Sequence, residues 1–147
     1  EETLKQCIVA DQPWEDTHKV QAPPIIEGPT VIKRNNTYYL FYSANDFRSV
    51  DYAVGYATSD TPFGPWKKSS DSPVISRNNI GMNGTGHGDL FQDAKGNWHY
   101  VFHVHNSDTE VHDRRTAIVD IKFEPNEATG IDDVIVDSKS LLLLKQK

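Results

Sequence analysis

Residues 25–43 read IIEGPTVIKRNNTYYLFYS, two apolar-rich runs on either side of a polar pair. The pattern predicts a β-hairpin with a carboxylate, Glu27, at its entrance. Alternation of apolar and polar positions predicts strands over residues 30–34, 37–43 and 52–59 (YAVGYATS). The turn residues Thr61, Pro62, Gly64 and Pro65 follow, and Trp66 opens a short fourth strand. Residues 69–86 are rich in Ser, Asn, Asp and Gly and predict an irregular crossing interrupted by Val74 and Ile75. A second set of strands is expected over 88–93, 97–105, 116–123 and 131–137, with AKGN as its first turn and 125–130 as its last loop. The closing SLLLLK is either a further strand or a frayed end, which periodicity alone does not decide. No helix is expected, because each polar stretch with helix formers is short or carries breakers. Residues 1–25 hold only a short alternating run over 4–9, then Trp14 and the pair Pro23 and Pro24.

The two strand sets are related. Sliding the sequence by sixty positions without a gap lays Glu27 on His87, Gly28 on Gly88, Asn35 and Asn36 on Lys95 and Gly96, and Tyr38 on Trp98. A repeated supersecondary unit restricts the available architectures. Four strands in about forty residues is the composition of a propeller blade. The expected fold is therefore all-β, a partial β-propeller of four-stranded antiparallel sheets: two full blades plus part of another. The expected divisions are the end of a preceding blade and linker (1–25), one blade (26–80), and a second blade with closing strands (81–147). Two blades alone would expose apolar faces and strand edges that ring closure hides. The rest of the ring is expected from the same polypeptide, a second copy or another subunit.

Composition narrows the partners. A chain of 147 residues is the size of one domain and can bury roughly 70% of its unfolded surface. The 37% apolar share and mean hydropathy of -0.60 are low, but 10% aromatics in strand-like runs argue against disorder. A net charge of -6 and no basic run oppose attraction to nucleic acid or anionic membrane. No run of about twenty apolar residues is present for a membrane span. The lone Cys7 forms no internal disulfide and no paired-cysteine spacing suggests zinc. Glu1 is not methionine, so the start of the chain carries no weight about export.

EGPTVIKRNNTYYLFYSA, YAVGYATS, TPFGPW and GTGHGDLFQDAKGNWHYVFHVH, in that order and spacing, resemble glycoside hydrolase family 43. These are five-bladed β-propellers that cleave arabinose- and xylose-containing glycans with inversion. The resemblance covers residues 25–123 and corresponds to the family's later blades. It implies that Glu27, in the E-G-P motif, is the general acid, which must stay protonated to protonate the departing oxygen. Ile25, Ile26 and Pro29 are expected to supply an apolar surrounding for it. It implies that His87, in GTGHG, faces the axial channel and contacts a calcium ion whose coordination is completed mostly by waters, since calcium prefers six to eight oxygens. Otherwise His87 only hydrogen-bonds there. Gly84, Gly86 and Gly88 would let backbone crowd the axis.

Of the other histidines, His99, His103 and His105 alternate along one strand and are expected on one face. With no acid or cysteine placed beside them in sequence, a half-buried strand face is the preferred reading, and His103 is the best candidate of the set for substrate. His18 and His112 are expected at the surface. Arg114 resembles the arginine that the family's last blade offers to sugar hydroxyls or to the acid, and its fork of donors suits both. Arg115 is expected at the surface. Asn45 and Phe47 lie in the loop after YYLFYS, where a ring and polar groups together equip a sugar site, or Phe47 anchors the loop. Trp66 and Trp98 are expected in the core.

Inversion also needs a base carboxylate about 6.5 to 9.5 Å from the acid. In the family the base and a further, acid-tuning aspartate come from the first two blades. Asp11 and Asp16 are not assigned to either role, and neither is Asp89, whose counterpart under the sixty-residue slide is Pro29. The expected function is glycoside hydrolysis, with this chain supplying the acid half of the site for a plant-type oligosaccharide or polysaccharide. The alternative is a non-catalytic carbohydrate-binding or assembly module. Relatives of this kind act outside the cytoplasm, so a periplasmic or secreted location is the corresponding expectation.

Overall fold

The computed structural model describes residues 5–19 and 23–145. Two four-stranded antiparallel meanders stand face to face. The first runs β1 (Ile26–Arg34), β2 (Thr37–Ala44), β3 (Ala53–Ser59), β4 (Lys67–Lys68), and the second β5 (Gly86–Gln92), β6 (Trp98–Val104), β7 (Arg115–Glu124), β8 (Asp133–Leu143). The all-β expectation and the strand count per sheet hold. SLLLLK is no separate element: β8 continues through it, pairing with β7 at both ends across an irregularity between Ile118 and Asp120.

The core lies between the sheets and is aromatic. Tyr39, Phe41 and Tyr56 of the first sheet meet Tyr100, Phe102 and Phe123 of the second, with Phe41 and Tyr100 at 5.8 Å and Tyr39 edge-on to Phe123 at 5.2 Å. Rings in these offset and edge-to-face arrangements add about 0.5–1.5 kcal/mol per pair beyond burial. Trp98 packs edge-on to Phe123 at 5.9 Å at the margin of this core, and Trp66 is half-buried beside Gly64. Polar ties cross the same gap: Arg34 pairs with Asp132 at 2.7 Å and Thr30 donates to Asp89 at 2.5 Å.

The segment before β1 carries no strand among its described residues, and Leu4 of the expected alternating run lies outside them. Instead a 3-10 turn at Pro13–Glu15 packs on the far face of the first sheet, with Trp14 5.7 Å from Tyr42. Glu15 is fully buried there. It accepts hydrogen bonds from the Asp11 and Gln12 amides and from Tyr42 Oη at 2.7 Å, and pairs with Lys68 at 2.6 Å. The first sheet is thus covered on both faces.

Two expectations are corrected. The crossing contains a four-residue helix, α1 (Arg77–Ile80), made by local caps rather than periodicity: Asn79 Oδ1 accepts the Ser76 amide at 2.8 Å, and the Gly81 amide closes it by donating a hydrogen bond to Arg77 O. The second correction concerns the repeat. Phe41 and Val101, sixty apart, pair with Thr30 and Asp89, which are fifty-nine apart. Likewise Ser43 and His103 pair with Glu27 and Gly86. The rung of Glu27 is therefore that of Gly86, and Gly28 corresponds to His87, both with positive φ (57° and 51°). The cause is the turn. β1 and β2 are joined by Asn35 and Asn36 alone, whereas Asp93 and Asn97 close a three-residue loop with Gly96 at φ 83°. The corresponding residue to Asp89 is thus Thr30, its hydrogen-bond donor, rather than Pro29.

Candidate active site

Glu27 and His87 converge although they occupy different rungs. Each sits at an irregularity in its ladder, between Glu27 and Thr30 in β1 and between Gly86 and Asp89 in β5. Such bulges re-aim side chains at the ends of strands. Gly28 lets the two strands touch: a Cβ there would stand 3.3 Å from His87 Cα, at a φ that side chains resist. His87 itself holds a left-handed backbone, fixed by its amide donating to the buried Ser43 Oγ at 2.8 Å. The result is His87 Nδ1 3.5 Å from Glu27 Oε2.

The other carboxylate oxygen is held from below. Tyr52 Oη donates to Glu27 Oε1 at 2.9 Å, and Tyr52 is 1% exposed. Burial, then the Glu27 charge, push the Tyr52 phenol well above its ordinary value, so it stays a donor. The apolar enclosure expected for Glu27 is absent. Its side chain is 36% exposed, Pro29 is exposed, and its neighbours are a phenol and an imidazole. One oxygen tied to a phenol and the other facing an imidazole, on a partly exposed side chain, suits a carboxyl that exchanges a proton with a ligand.

His87 also borders an open groove of about 550 Å³ lined by Gly28, Asp89, Val101, His103 and Thr116. The His103 ring lies 6.4 Å from that of His87, and its Nδ1 is buried with no hydrogen-bond partner among the described residues. Burial, with Arg114 and His87 nearby, favours neutral His103. His99 shares this face but is engaged, Nδ1 with Asp120 at 2.9 Å and Nε2 with Asp93 at 3.7 Å. The acids missing from its sequence neighbourhood arrive by strand pairing, since Asp120 is opposite His99 in β7. His105 leaves the face: alternation ends at Val104, and His105 is buried with Nε2 donating to Phe47 O at 2.9 Å.

The loop after β2 gathers Phe47, Arg48 and, from the loop just before β7, Arg114, whose guanidinium lies 5.0 Å from the Phe47 ring centroid. Arg48 stacks on the same ring at 5.7 Å and pairs with Asp46. His112 is exposed, and His18, also exposed, pairs with Asp51 at 3.0 Å. Arg115 differs from expectation: its Nε is buried and lacks a partner among the described residues. Asn45 is buried and spent. Its amide donates to Trp14 O and Asp51 O and accepts from the Thr17 amide and hydroxyl, so it anchors the N-terminal segment and offers nothing outward.

Sequence reasoning missed Tyr52 and Ser43. The available signal was a tyrosine at the start of a buried strand, whose hydroxyl must find a partner. A calcium ion at His87 would have that imidazole as its protein ligand here and would take its remaining ligands from water. His87 offers one nitrogen beyond the Nδ1 facing Glu27, and no group of three or more His, Cys, Asp or Glu suited to a metal occurs among the described residues. No step below runs through a metal.

The profile of Glycosyl hydrolases family 43 matches residues 2–129. The chain belongs to this family. Among solved structures it is similar to an endo-1,4-beta-xylanase from Bacteroides thetaiotaomicron, at 42% identity and TM-score 0.78, covering 92% of this chain and 44% of that one. It is also similar to a thermostable family-43 glycoside hydrolase, at 37% identity and TM-score 0.74, covering 88% and 40%. Among curated proteins, beta-D-galactofuranosidase xynD of Aspergillus niger is 30% identical over 106 residues, 72% of this chain and 31% of that protein. The chain thus spans less than half the length of these relatives. The two sheets match propeller blades of family-43 enzymes.

Proposed function

We propose that this chain carries the general-acid half of an inverting glycosidase site for arabinose- or xylose-containing glycans, with Glu27 as the acid. The observation that carries the reading is the Glu27 carboxyl at the bulge of β1, with Oε1 held by a buried phenol and Oε2 beside His87. The family membership supports hydrolysis, and the names of relatives, an arabinan endo-1,5-alpha-L-arabinosidase of Emericella nidulans and a xylosidase/arabinosidase of Butyrivibrio fibrisolvens, support the sugar class. Glu27 gives its proton to the glycosidic oxygen as that bond breaks, and a base carboxylate outside this chain takes a proton from the attacking water. His103 and Arg114 stand where they can meet hydroxyls of the same sugar. Phe47 packs between two guanidiniums and supports Arg114. The open face of the second sheet receives the next blade.

The test is Glu27→Gln in the protein that carries this chain, with aryl arabinosides and xylosides. Turnover of unactivated substrates falls by about 10²–10⁴ while binding is kept. Unchanged binding with no turnover in either form would instead identify a carbohydrate-binding module.

A further inference from the structure

We propose that Tyr52 is a positioning residue for the Glu27 carboxyl, tying Oε1 so that the transferable proton is carried on Oε2. The inference rests on the acid reading of Glu27 and deepens it.

Three observations place the phenol. Tyr52 is almost wholly buried, and its backbone is clamped on both sides: its amide donates to Ser49 O at 3.2 Å, and its carbonyl accepts from the buried Thr85 hydroxyl at 3.1 Å. Gly86, on the rung equivalent to that of Glu27, leaves room for the ring; a Cβ there would fall 2.2 Å from Tyr52 Cε1. Ser43, opposite Glu27 in the ladder, accepts the His87 amide and so fixes the strand that faces the carboxyl. The Tyr52 proton is committed to Glu27.

Proton accounting follows from valence. A phenol has one hydrogen, and it goes to Oε1, 2.9 Å away. A protonated Glu27 therefore accepts at Oε1 and carries its own hydrogen on Oε2, the oxygen beside His87. In the reaction that hydrogen passes to the glycosidic oxygen, and the breaking C–O bond leaves its electron pair there. The attacking water forms the new C–O bond at the sugar carbon and yields its proton to the base. Glu27 ends as a carboxylate, and the hydrogen bond from Tyr52 strengthens as charge develops on its acceptor. An interaction stronger after proton transfer than before lowers the barrier, which simple binding does not.

The test uses Tyr52→Phe, which keeps the ring volume, in the protein that carries this chain. Two glycosides of one sugar are compared: 2,4-dinitrophenyl, whose leaving group needs no proton, and unsubstituted phenyl, whose leaving group does. Loss of a hydrogen bond to a charged group predicts a fall in kcat of about 10- to 100-fold on the phenyl glycoside. On the dinitrophenyl glycoside kcat stays within about twofold, and KM is unchanged on both. The retained dinitrophenyl activity doubles as the measure of folded sites. Equal losses on both substrates, or none, overturn the proposal. Glu27→Gln is run alongside. If Glu27→Gln discriminates between the leaving groups and Tyr52→Phe does not, only the role of Tyr52 falls. If Glu27→Gln does not discriminate, the acid reading falls and this proposal with it.

Discussion

A carboxyl at a strand end is ordinarily free to rotate in solvent, and Glu27 is half way from that condition. Its side chain is about one third exposed, with one oxygen facing His87 and the other held by a buried phenol. The neighbouring loop shows the same economy of charge. Asp46 accepts from the Arg48 amide and guanidinium, and the Arg48 side chain holds its carboxyl down at about 2. A depressed folded value means stability that is present above the ordinary aspartate range and lost as pH falls through about 2. Arg48→Met removes that window, so the acid-unfolding midpoint, followed by circular dichroism, moves to higher pH. An unchanged midpoint would show the pair to be inert. The approach of Glu27 and His87 was legible because motif order marks both residues. Tyr52 and Ser43 were not, because their roles exist only once β2 and β3 pair. Asn45 was misjudged for a related reason: an exposed-looking loop amide is consumed by a segment thirty residues earlier.

At the scale of elements, β6 and β7 follow alternation closely because each buries one face on the aromatic core, whereas β2 and β3 are covered on both faces and lack that period. Register was less accessible. One extra residue in the loop from Ala94 to Gly96 displaces β5 by a rung relative to the ungapped repeat, and loop length is a local feature that a sliding comparison averages over. Nor does alternation reveal the buried pair of Glu15 and Lys68, which joins the N-terminal segment to β4 with side chains 0% and 9% exposed. Removing one partner of a buried pair strands the other charge, at a cost of about 3–5 kcal/mol. Lys68→Met is expected to destabilise the fold by that amount in urea unfolding, and Lys68→Met with Glu15→Leu to recover much of it. A loss under about 1 kcal/mol for the single change would show the pair to be solvated.

Across the whole molecule, burial is asymmetric. β2 is buried at six successive positions, whereas β6 alternates buried and half-buried. Segment 11–17 covers one sheet, while the other leaves Leu142 and Ile135 exposed beside the groove face of His99, Val101 and His103. That asymmetry is what a wedge within a ring would show, and it places the Glu27 and His87 pair on the inner edges of β1 and β5, where the two sheets meet. The repeat marked β1 and β5 as equivalent strands; their touching through Gly28 did not show in the sequence, because contact between strands of different sheets has no periodic signature.

The central claim is that Glu27 donates the proton to the leaving oxygen. Its most direct test is the pH dependence of kcat/KM on an unactivated glycoside, for the protein carrying this chain and its Glu27→Gln variant. The claim predicts an alkaline limb in the parent that is absent from the variant; an alkaline limb that persists unchanged in Glu27→Gln would contradict it.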